Sequence, residues 1–361
     1  MTRKSPRKRA YEFLAQLARE NRLDAILITD LLNISYLSRF QGSEATIIFS
    51  PENSWFLSDF RYQQQAEREI SGFKIKIFRN KLREIHQLLA RLKVRRLGFE
   101  PAGLSFQFCQ ALKKQLKGIR LIPLKKSLLE IRAIKDPDEI ENISKAVNIA
   151  EKALSKALLH FRAGIRELEF AAELEYQARI SGSGWFAFDT IVASGWRGAL
   201  PHGKASGKKI KKGELVVIDF GVNYNGYHSD LTVTVSAGDP GKKAREIYQI
   251  VSQAQKLALA AIKPGKAAKE IDRAARNYIK AQGWGKFFGH GLGHGLGLAV
   301  HEEPAINSKS QVPLQPGMVF TLEPGIYLPG KFGVRIEDDL VLEQKQPRVL
   351  SRSNQPLKIY E

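Results

Sequence analysis

Residues 216–235 read VVIDFGVNYNGYHSDLTVTV. Two β-rich runs flank Asn225-Gly226, the dipeptide that best suits a type I′ turn because both of its positions take positive φ. With the turn there, Tyr224 faces Tyr227, and the same register pairs Gly221 with Asp230 and Asp219 with Thr232. Asp219 and Asp230 then become diagonal neighbours on one face, starting roughly 7–8 Å apart and able to converge on something between them. Asp219 follows Val216, Val217 and Ile218, a run that reads as a strand buried on both faces. Two ionised carboxylates held together away from water are costly unless they share a proton or bind a cation. A pair standing in water at a strand end is the other reading, and the hairpin alone leaves both open.

Outward from this hairpin the chain changes character once. Upstream, AYEFLAQLARENR reads as a helix, DAILITD as a short buried strand, ATIIFS and SWFLSD as strands split by the turn PEN, and KLREIHQLLARLKV as a helix again. That alternation is an α/β pattern. Asp136-Pro137 then opens a long apolar-periodic helix with acidic residues in its first turn, where the helix dipole favours them. We expect the domain boundary between residues 126 and 136 and draw it as 1–130 and 131–361. In the second part, helices over 137–161 and 166–181, a strand near 188–193 and the hairpin are followed by helices over 241–262 and 267–282. Strands return in GMVFTLEPGIYL and GVRIEDDLVLE. Helices followed by hairpins, twice over, predict a pseudo-repeated α+β domain.

At 361 residues, with 43% hydrophobic and 26% charged side chains, the chain has the composition of a globular protein with room for two cores. No apolar run approaches the roughly 18 residues of a membrane span, and MTRKSPRKRAYEF carries no apolar signal core, so neither a membrane nor export is expected. The single cysteine, Cys109, fits a reducing, cytoplasmic compartment and is expected to pack in a core. The net charge of +20 is concentrated early: residues 1–132 hold 26 Lys and Arg against 12 Asp and Glu, the remainder 31 against 25. A basic surplus can attract nucleic acid, but excess lysine more often covers a solvated surface, and nucleic acid is not expected as a partner. The leading TRKSPRKR reads as a disordered, solvated tail.

Downstream, Glu323 in VFTLEPG and Glu337 in GVRIEDD lie at the end of or within apolar runs, where an unpaired carboxylate is expensive. With Asp219, Asp230 and one histidine they make a set of four carboxylates and an imidazole, whose charge matches two divalent cations. Such donors suit manganese, iron, cobalt or zinc in a paired site. The histidines cluster in FGHGLGHGLGLAVHEEP, residues 288–304. Its glycines recur at every second position from Gly289 to Gly297, which satisfies neither a dinucleotide nor a P-loop fingerprint. In an extended chain His290 and His294 share one face, with the glycines on the other allowing a neighbouring backbone to press close. His301 has the opposite parity and needs a bend to join them.

In these motifs the chain resembles the pita-bread metallopeptidases, in the Xaa-Pro aminopeptidase and prolidase branch with a creatinase-like N-terminal domain. NISYLSRFQGSEATIIF, FLSDFRYQQQAERE and EIRAIKDPDEIENISKA resemble that branch's first domain and interdomain helix. IVASGWRGALPHG, VVIDFG, SDLTVT, GHGLGHGLGLAVHEEP, TLEPGIY and GVRIEDD match its second in order and spacing. The resemblance implies an α/β N-terminal domain and an α+β pita-bread C-terminal domain, a curved antiparallel sheet covered by helices in pseudo-twofold αβ repeats. It implies metal ligands Asp219, Asp230, His294, Glu323 and Glu337, with Asp230 and Glu337 shared between two divalent ions, of which manganese is expected first and cobalt, zinc or iron remain alternatives. His202 and His301 fall on catalytic histidines, and His290 and Arg335 on substrate-contacting positions. Val233 departs from the family, which commonly has arginine there, leaving a local salt bridge or substrate contact in doubt. Thr232 stays available for a hydrogen bond to a ligand.

The expected reaction is hydrolysis of the bond between an N-terminal residue and proline, by an Xaa-Pro aminopeptidase. The alternatives are a prolidase restricted to dipeptides, and a binding protein or small-molecule hydrolase or lyase on the same fold. Glu323 is expected to relay the proton, His202 and His301 to steady the oxyanion, and Phe186, Phe188, Tyr327 and His290 to wall the proline ring. The expected partners are a peptide with proline in second position and a second copy of the chain in a homodimer.

Overall fold

The computed structural model describes residues 8–361 and divides into two compact units, Met1–Arg132 and Ala133–Glu361. Residues 2–7 of the basic leading stretch lie outside the described residues.

In the first unit, Ala10, Leu14, Leu17 and Ala18 recur at helical spacing and form the buried face of the helix Lys8–Glu20. The strand Ala25–Ile28 is buried at all four positions and lies inside a six-stranded mixed sheet. Its order is Lys74–Phe78, Trp55–Asp59, Thr46–Phe49, Ala25–Ile28, Arg96–Phe99, Arg120–Pro123. Three of these strands, Lys74–Phe78, Arg96–Phe99 and Arg120–Pro123, escaped the sequence reading. Two of them are the sheet's edges, where KIKIF and RLIP expose charged side chains that discourage pairing with another chain. Part of the basic surplus therefore has a structural use. Cys109 does not sit in a core as expected: the helix Phe106–Gln115 buries only Leu112, and Cys109 stays partly exposed.

The second unit repeats one plan. In its first half, Pro137 occupies the first turn of the helix Pro137–Ala157, and the Asp136 backbone N–H donates to Glu139 Oε2 at 2.9 Å. That helix and Glu167–Ile180 cover a sheet ordered Ile359–Tyr360, Leu231–Ala237, Glu214–Phe220, Ile191–Ser194. Ala150, Ala153, Phe170 and Leu174 meet Val192, Val216, Ile218 and Val235 in its core. In the second half, Gly241–Ala261 and Ala268–Ala281 cover a sheet ordered Glu302–Ile306, Gly293–Gly295, Val319–Leu322, Asp338–Leu342, Pro347–Val349. Its core joins Ile247, Val251, Ile271 and Ala275 to Phe320, Leu322 and Leu340.

The hairpin has the register read from its turn: Tyr224 pairs with Tyr227 and Asp219 with Thr232, and Asn225 and Gly226 take φ of 51° and 86°. It is not one continuous ladder. Val222–Tyr224 and Tyr227–His228 leave for a separate small sheet with Trp185–Phe186, so the chain bends next to Asp219 and Asp230. GMVFTLEPGIYL likewise splits into Val319–Leu322 and Gly325–Leu328, and GVRIEDDLVLE into Phe332–Arg335 and Asp338–Leu342. Pro324 lacks the N–H a ladder would use, which ends the first of these strands. The halves are stitched where the strands break. The Glu337 N–H donates to Thr232 O at 3.0 Å, and Thr234 Oγ1 donates to Arg335 O at 2.8 Å.

Among the described residues no helix is long and apolar enough to cross a membrane.

Candidate metal centre

Each of the four acids stands within a residue or two of a strand break. Asp219 is one residue from the end of Glu214–Phe220, Asp230 directly precedes Leu231–Ala237, Glu323 directly follows Val319–Leu322, and Glu337 directly precedes Asp338–Leu342. His294 is the middle residue of Gly293–Gly295. That strand is hemmed in on both sides: a Cβ on Gly293 would lie 2.0 Å from Thr321 O, and one on Gly295 would lie 2.1 Å from Glu303 O. No other residue fits there, which accounts for the alternate glycines at this point.

Asp219, Asp230, His294, Glu323, Glu337, His202, His301, His290, Arg335 and Tyr327 all line one cavity of about 710 Å³. Asp230, His294 and Glu337 each offer a ligand atom within 4.8 Å of the others. His294 Nε2 lies 3.6 Å from Asp230 Oδ2 and 3.7 Å from Glu323 Oε1. Asp219 stands slightly apart: its Oδ2 accepts a short hydrogen bond from Arg335 Nη2, while its Oδ1 is buried without a hydrogen-bond partner. Thr232 lies on the side of the hairpin its parity dictates and donates to Glu337 Oε2 at 2.6 Å. Val233, on the opposite side, packs against the core of the first half.

The histidines separate by function of place. His290 Nε2 meets Tyr327 OH at 2.9 Å and its Nδ1 lies 3.9 Å from Glu323 Oε2. Between Gly297 and His301 the chain turns back, Gly297 N–H donating to Ala299 O at 3.0 Å. This is the bend that parity demanded, and it lays the His301 ring edge-on against His294 with centroids 4.2 Å apart. Phe188 lines the cavity, but Phe186 does not. Phe186 pairs with Val222 and packs against the first core, so it is no wall for a bound ring.

The electrostatics of the cluster call for a cation. Burial, then the charges of Glu337, Asp219, Asp339 and Glu323, hold the Asp230 carboxyl well above the usual carboxylate range. Burial and the charges of Glu323 and Asp219 do the same to Glu337, and burial pushes Glu323 up to about 8. Burial lowers His294 to about 4, with His301 contributing, so its ring is neutral near pH 7. His294 Nδ1 lies 3.2 Å from Gly295 O, which assigns the proton to Nδ1 and leaves a lone pair on Nε2 aimed at carboxylate oxygens. Crowded acids, an orphaned oxygen and a lone pair directed at them fit bound divalent ions.

Asp339 was missed by the sequence reading. It is fully buried, and its Oδ2 accepts the Asp230 N–H at 2.9 Å. The only signal was a second acid after Glu337 in an otherwise apolar strand. The sequence also gave no hint that Arg335 would be held by Asp219, Tyr327 OH at 2.9 Å and Pro201 O at 3.1 Å.

These shifts predict a pH dependence. A carboxyl whose folded-state pKa lies above its unfolded value binds its proton more tightly when folded. The metal-free protein therefore loses stability as pH rises from the ordinary glutamate value of 4.5 through about 8 for Glu323. Melting in chelator should occur at lower temperature at pH 8.5 than at pH 6, and divalent metal should remove most of the difference. A chelated melting temperature that rises over this interval would contradict the assignment.

Residues 141–344 match the family described as Metallopeptidase family M24, and residues 11–134 match the Creatinase/Prolidase N-terminal domain. The chain is 40% identical to the Xaa-Pro dipeptidase of Pyrococcus furiosus, over 97% of this chain and 99% of that one. Among solved structures it resembles an Xaa-Pro dipeptidase from Bacillus anthracis, with TM-score 0.94, 38% identity and coverage of 98% and 99%. It also resembles an X-Pro aminopeptidase from Thermotoga maritima MSB8, with TM-score 0.91, 39% identity and coverage of 97% and 99%.

Proposed function

The chain belongs to metallopeptidase family M24, and from that premise we propose that it is an Xaa-Pro dipeptidase, hydrolysing the bond between a residue and a C-terminal proline. The sequence reading favoured an aminopeptidase; the full-length relatives from Pyrococcus furiosus and Bacillus anthracis, both named Xaa-Pro dipeptidase, favour the shorter substrate. The observation that carries the peptidase reading is the convergence of Asp230, His294 and Glu337 within 4.8 Å in a cavity that also holds Glu323, His202 and His301.

In this proposal Asp219, Asp230, His294, Glu323 and Glu337 would hold two divalent ions. Manganese is proposed because hard oxygen donors dominate and only one imidazole joins them. Bound there, the ions would polarise the scissile carbonyl and make a water nucleophilic near neutral pH. The chain's own groups do the rest. Glu323 takes a proton from the attacking water and passes it to the prolyl nitrogen, which as a tertiary amide carries no hydrogen of its own. His202 and His301 donate to the oxygen that becomes negative. Arg335, buried and bonded to Asp219 and Tyr327, fixes the pocket wall that faces the proline ring. We further propose a catalytic domain of residues 131–361 preceded by a creatinase-like domain, a homodimer, and a cytoplasmic location.

With manganese added, kcat/KM for Ala-Pro should exceed that for Ala-Pro-Ala by about tenfold or more, the scale of a lost charged contact, and chelator should abolish both. Faster cleavage of the longer peptide would establish instead the aminopeptidase reading, which the Thermotoga maritima likeness favours. Turnover of neither would defeat the peptidase assignment.

A further inference from the structure

The stretch that carries His290 is pinned at its ends by the buried side chains of Phe288 and Leu292 and at its middle by the bond between the His290 ring and Tyr327 OH. Between those anchors, glycine occupies every second position from 289 to 297, leaving the backbone itself permissive, and the ladder begins only at Gly293. The orientation of its backbone polar groups is set from the helix Ala268–Ala281. Arg276 Nε donates to Asp272 Oδ2 at 2.7 Å and Nη2 to Asp272 Oδ1 at 2.7 Å. The same guanidinium reaches across to the glycine-rich stretch, Nη1 donating to Phe288 O at 3.0 Å and Nη2 to His290 O at 2.7 Å. Asp272 Oδ1 in turn accepts the Leu292 N–H at 3.2 Å. One i,i+4 ion pair thus grips three backbone groups in five residues, and its carboxylate is wholly buried.

The grip extends to the acid. Leu292 O accepts the Glu323 N–H at 2.8 Å, so fixing Leu292 also fixes the backbone that presents Glu323. His290, two residues earlier, is held at its own carbonyl, and its ring lies 3.9 Å from Glu323 Oε2. We propose that Arg276, oriented by Asp272, is a positioning residue that sets His290 and Glu323 for turnover. It touches no reacting atom. A planar fork is needed because two carbonyls and a carboxylate must be bonded at once, whereas an ammonium is a point charge that cannot span them.

This inference rests on the peptidase reading for its kinetic test, and a second readout is independent of it. Arg276→Lys keeps a cation beside the buried Asp272 and so preserves the fold; Arg276→Gln, which keeps donors without charge, is the second variant. Well below the melting temperature, Arg276→Lys should retain its metal but lose about 10–100-fold in kcat/KM, the usual cost of removing a group that orients a site. In the chelated protein the imidazole NMR signal of His290 should shift and broaden. A purely stabilising role would lower the melting temperature and leave both readouts unchanged. The proposal is overturned if either folded variant keeps kcat/KM within about twofold of the parent, well under the orienting effect, with an unmoved His290 signal. Should the parent protein not hydrolyse Xaa-Pro at all, the peptidase reading fails, and the His290 signal still decides whether the clamp positions this histidine.

Discussion

Asp230→Asn is expected to lose bound metal and about 10³-fold or more in kcat/KM. Three decades correspond to about 4 kcal/mol of transition-state stabilisation, within what a metal centre contributes to an acyl-transfer reaction. The carboxylate is central to its set, within 4.8 Å of ligand atoms on His294 and Glu337 and pressed by the charges of Glu337, Asp219, Asp339 and Glu323. The same crowding predicts an opposite effect on stability. Asparagine keeps the volume and removes a charge, so the metal-free variant should melt at a higher temperature than the metal-free parent at pH 8, where the parent's acids are being forced to ionise. Elemental analysis, steady-state kinetics and melting in chelator test the three parts together. A variant that retained full turnover would remove Asp230 from the proposed ligand set.

That a ligand can stabilise the loaded protein and destabilise the empty one follows from where the acids stand. A carboxylate inside a continuous ladder would point to one face of a sheet and meet only its neighbours there. At a strand break the chain changes direction, and side chains from several strands can converge. The hairpin bends beside Asp230, Pro324 ends the strand before Glu323, and the 332–342 segment changes sheets at Ile336-Glu337.

This also separates what the sequence discloses from what it hides. The register around Asn225-Gly226 was legible because turn chemistry is local and a two-residue period propagates it to Asp219 and Thr232. The six longest helices were legible from their apolar spacing, whereas Leu31–Ser38, Gln63–Glu69, Phe106–Gln115 and Leu128–Arg132 were too short to declare a period. The need for a bend before His301 was legible from parity alone. The breaks within GMVFTLEPGIYL and GVRIEDDLVLE were not, because an apolar run looks the same whether it serves one sheet or two. Phe186 was misplaced for a related reason: its two-residue strand, Trp185–Phe186, is too short for alternation to declare which side is inward. The Arg335 bond to Asp219 spans 116 residues, and no spacing rule reaches that far. Substrate length is least legible, since it depends on the shape and charge of the far end of a pocket, to which none of this chain's acidic or histidine motifs points.

Arg335→Met should have the largest effect on stability, and that effect should depend on metal. The guanidinium is buried, and besides Asp219 it bonds Tyr327 OH, Pro201 O and Thr232 Oγ1. Methionine fills much of the space and supplies none of these donors. Asp219, whose Oδ1 already lacks a hydrogen-bond partner, would lose its Oδ2 partner too. Removing one member of a buried pair costs about 3–5 kcal/mol, chiefly because the other charge is left uncompensated. In the metal-free protein the full loss is expected. With divalent ions bound, Asp219 regains a positive partner, and the loss should shrink towards that of the neutral contacts, about 1 kcal/mol each. Denaturant unfolding of parent and variant, each in chelator and in manganese, gives the four free energies of this cycle. Equal losses with and without metal would mean that Asp219 never exchanges its arginine for an ion, and Asp219 would then have to be struck from the ligand set.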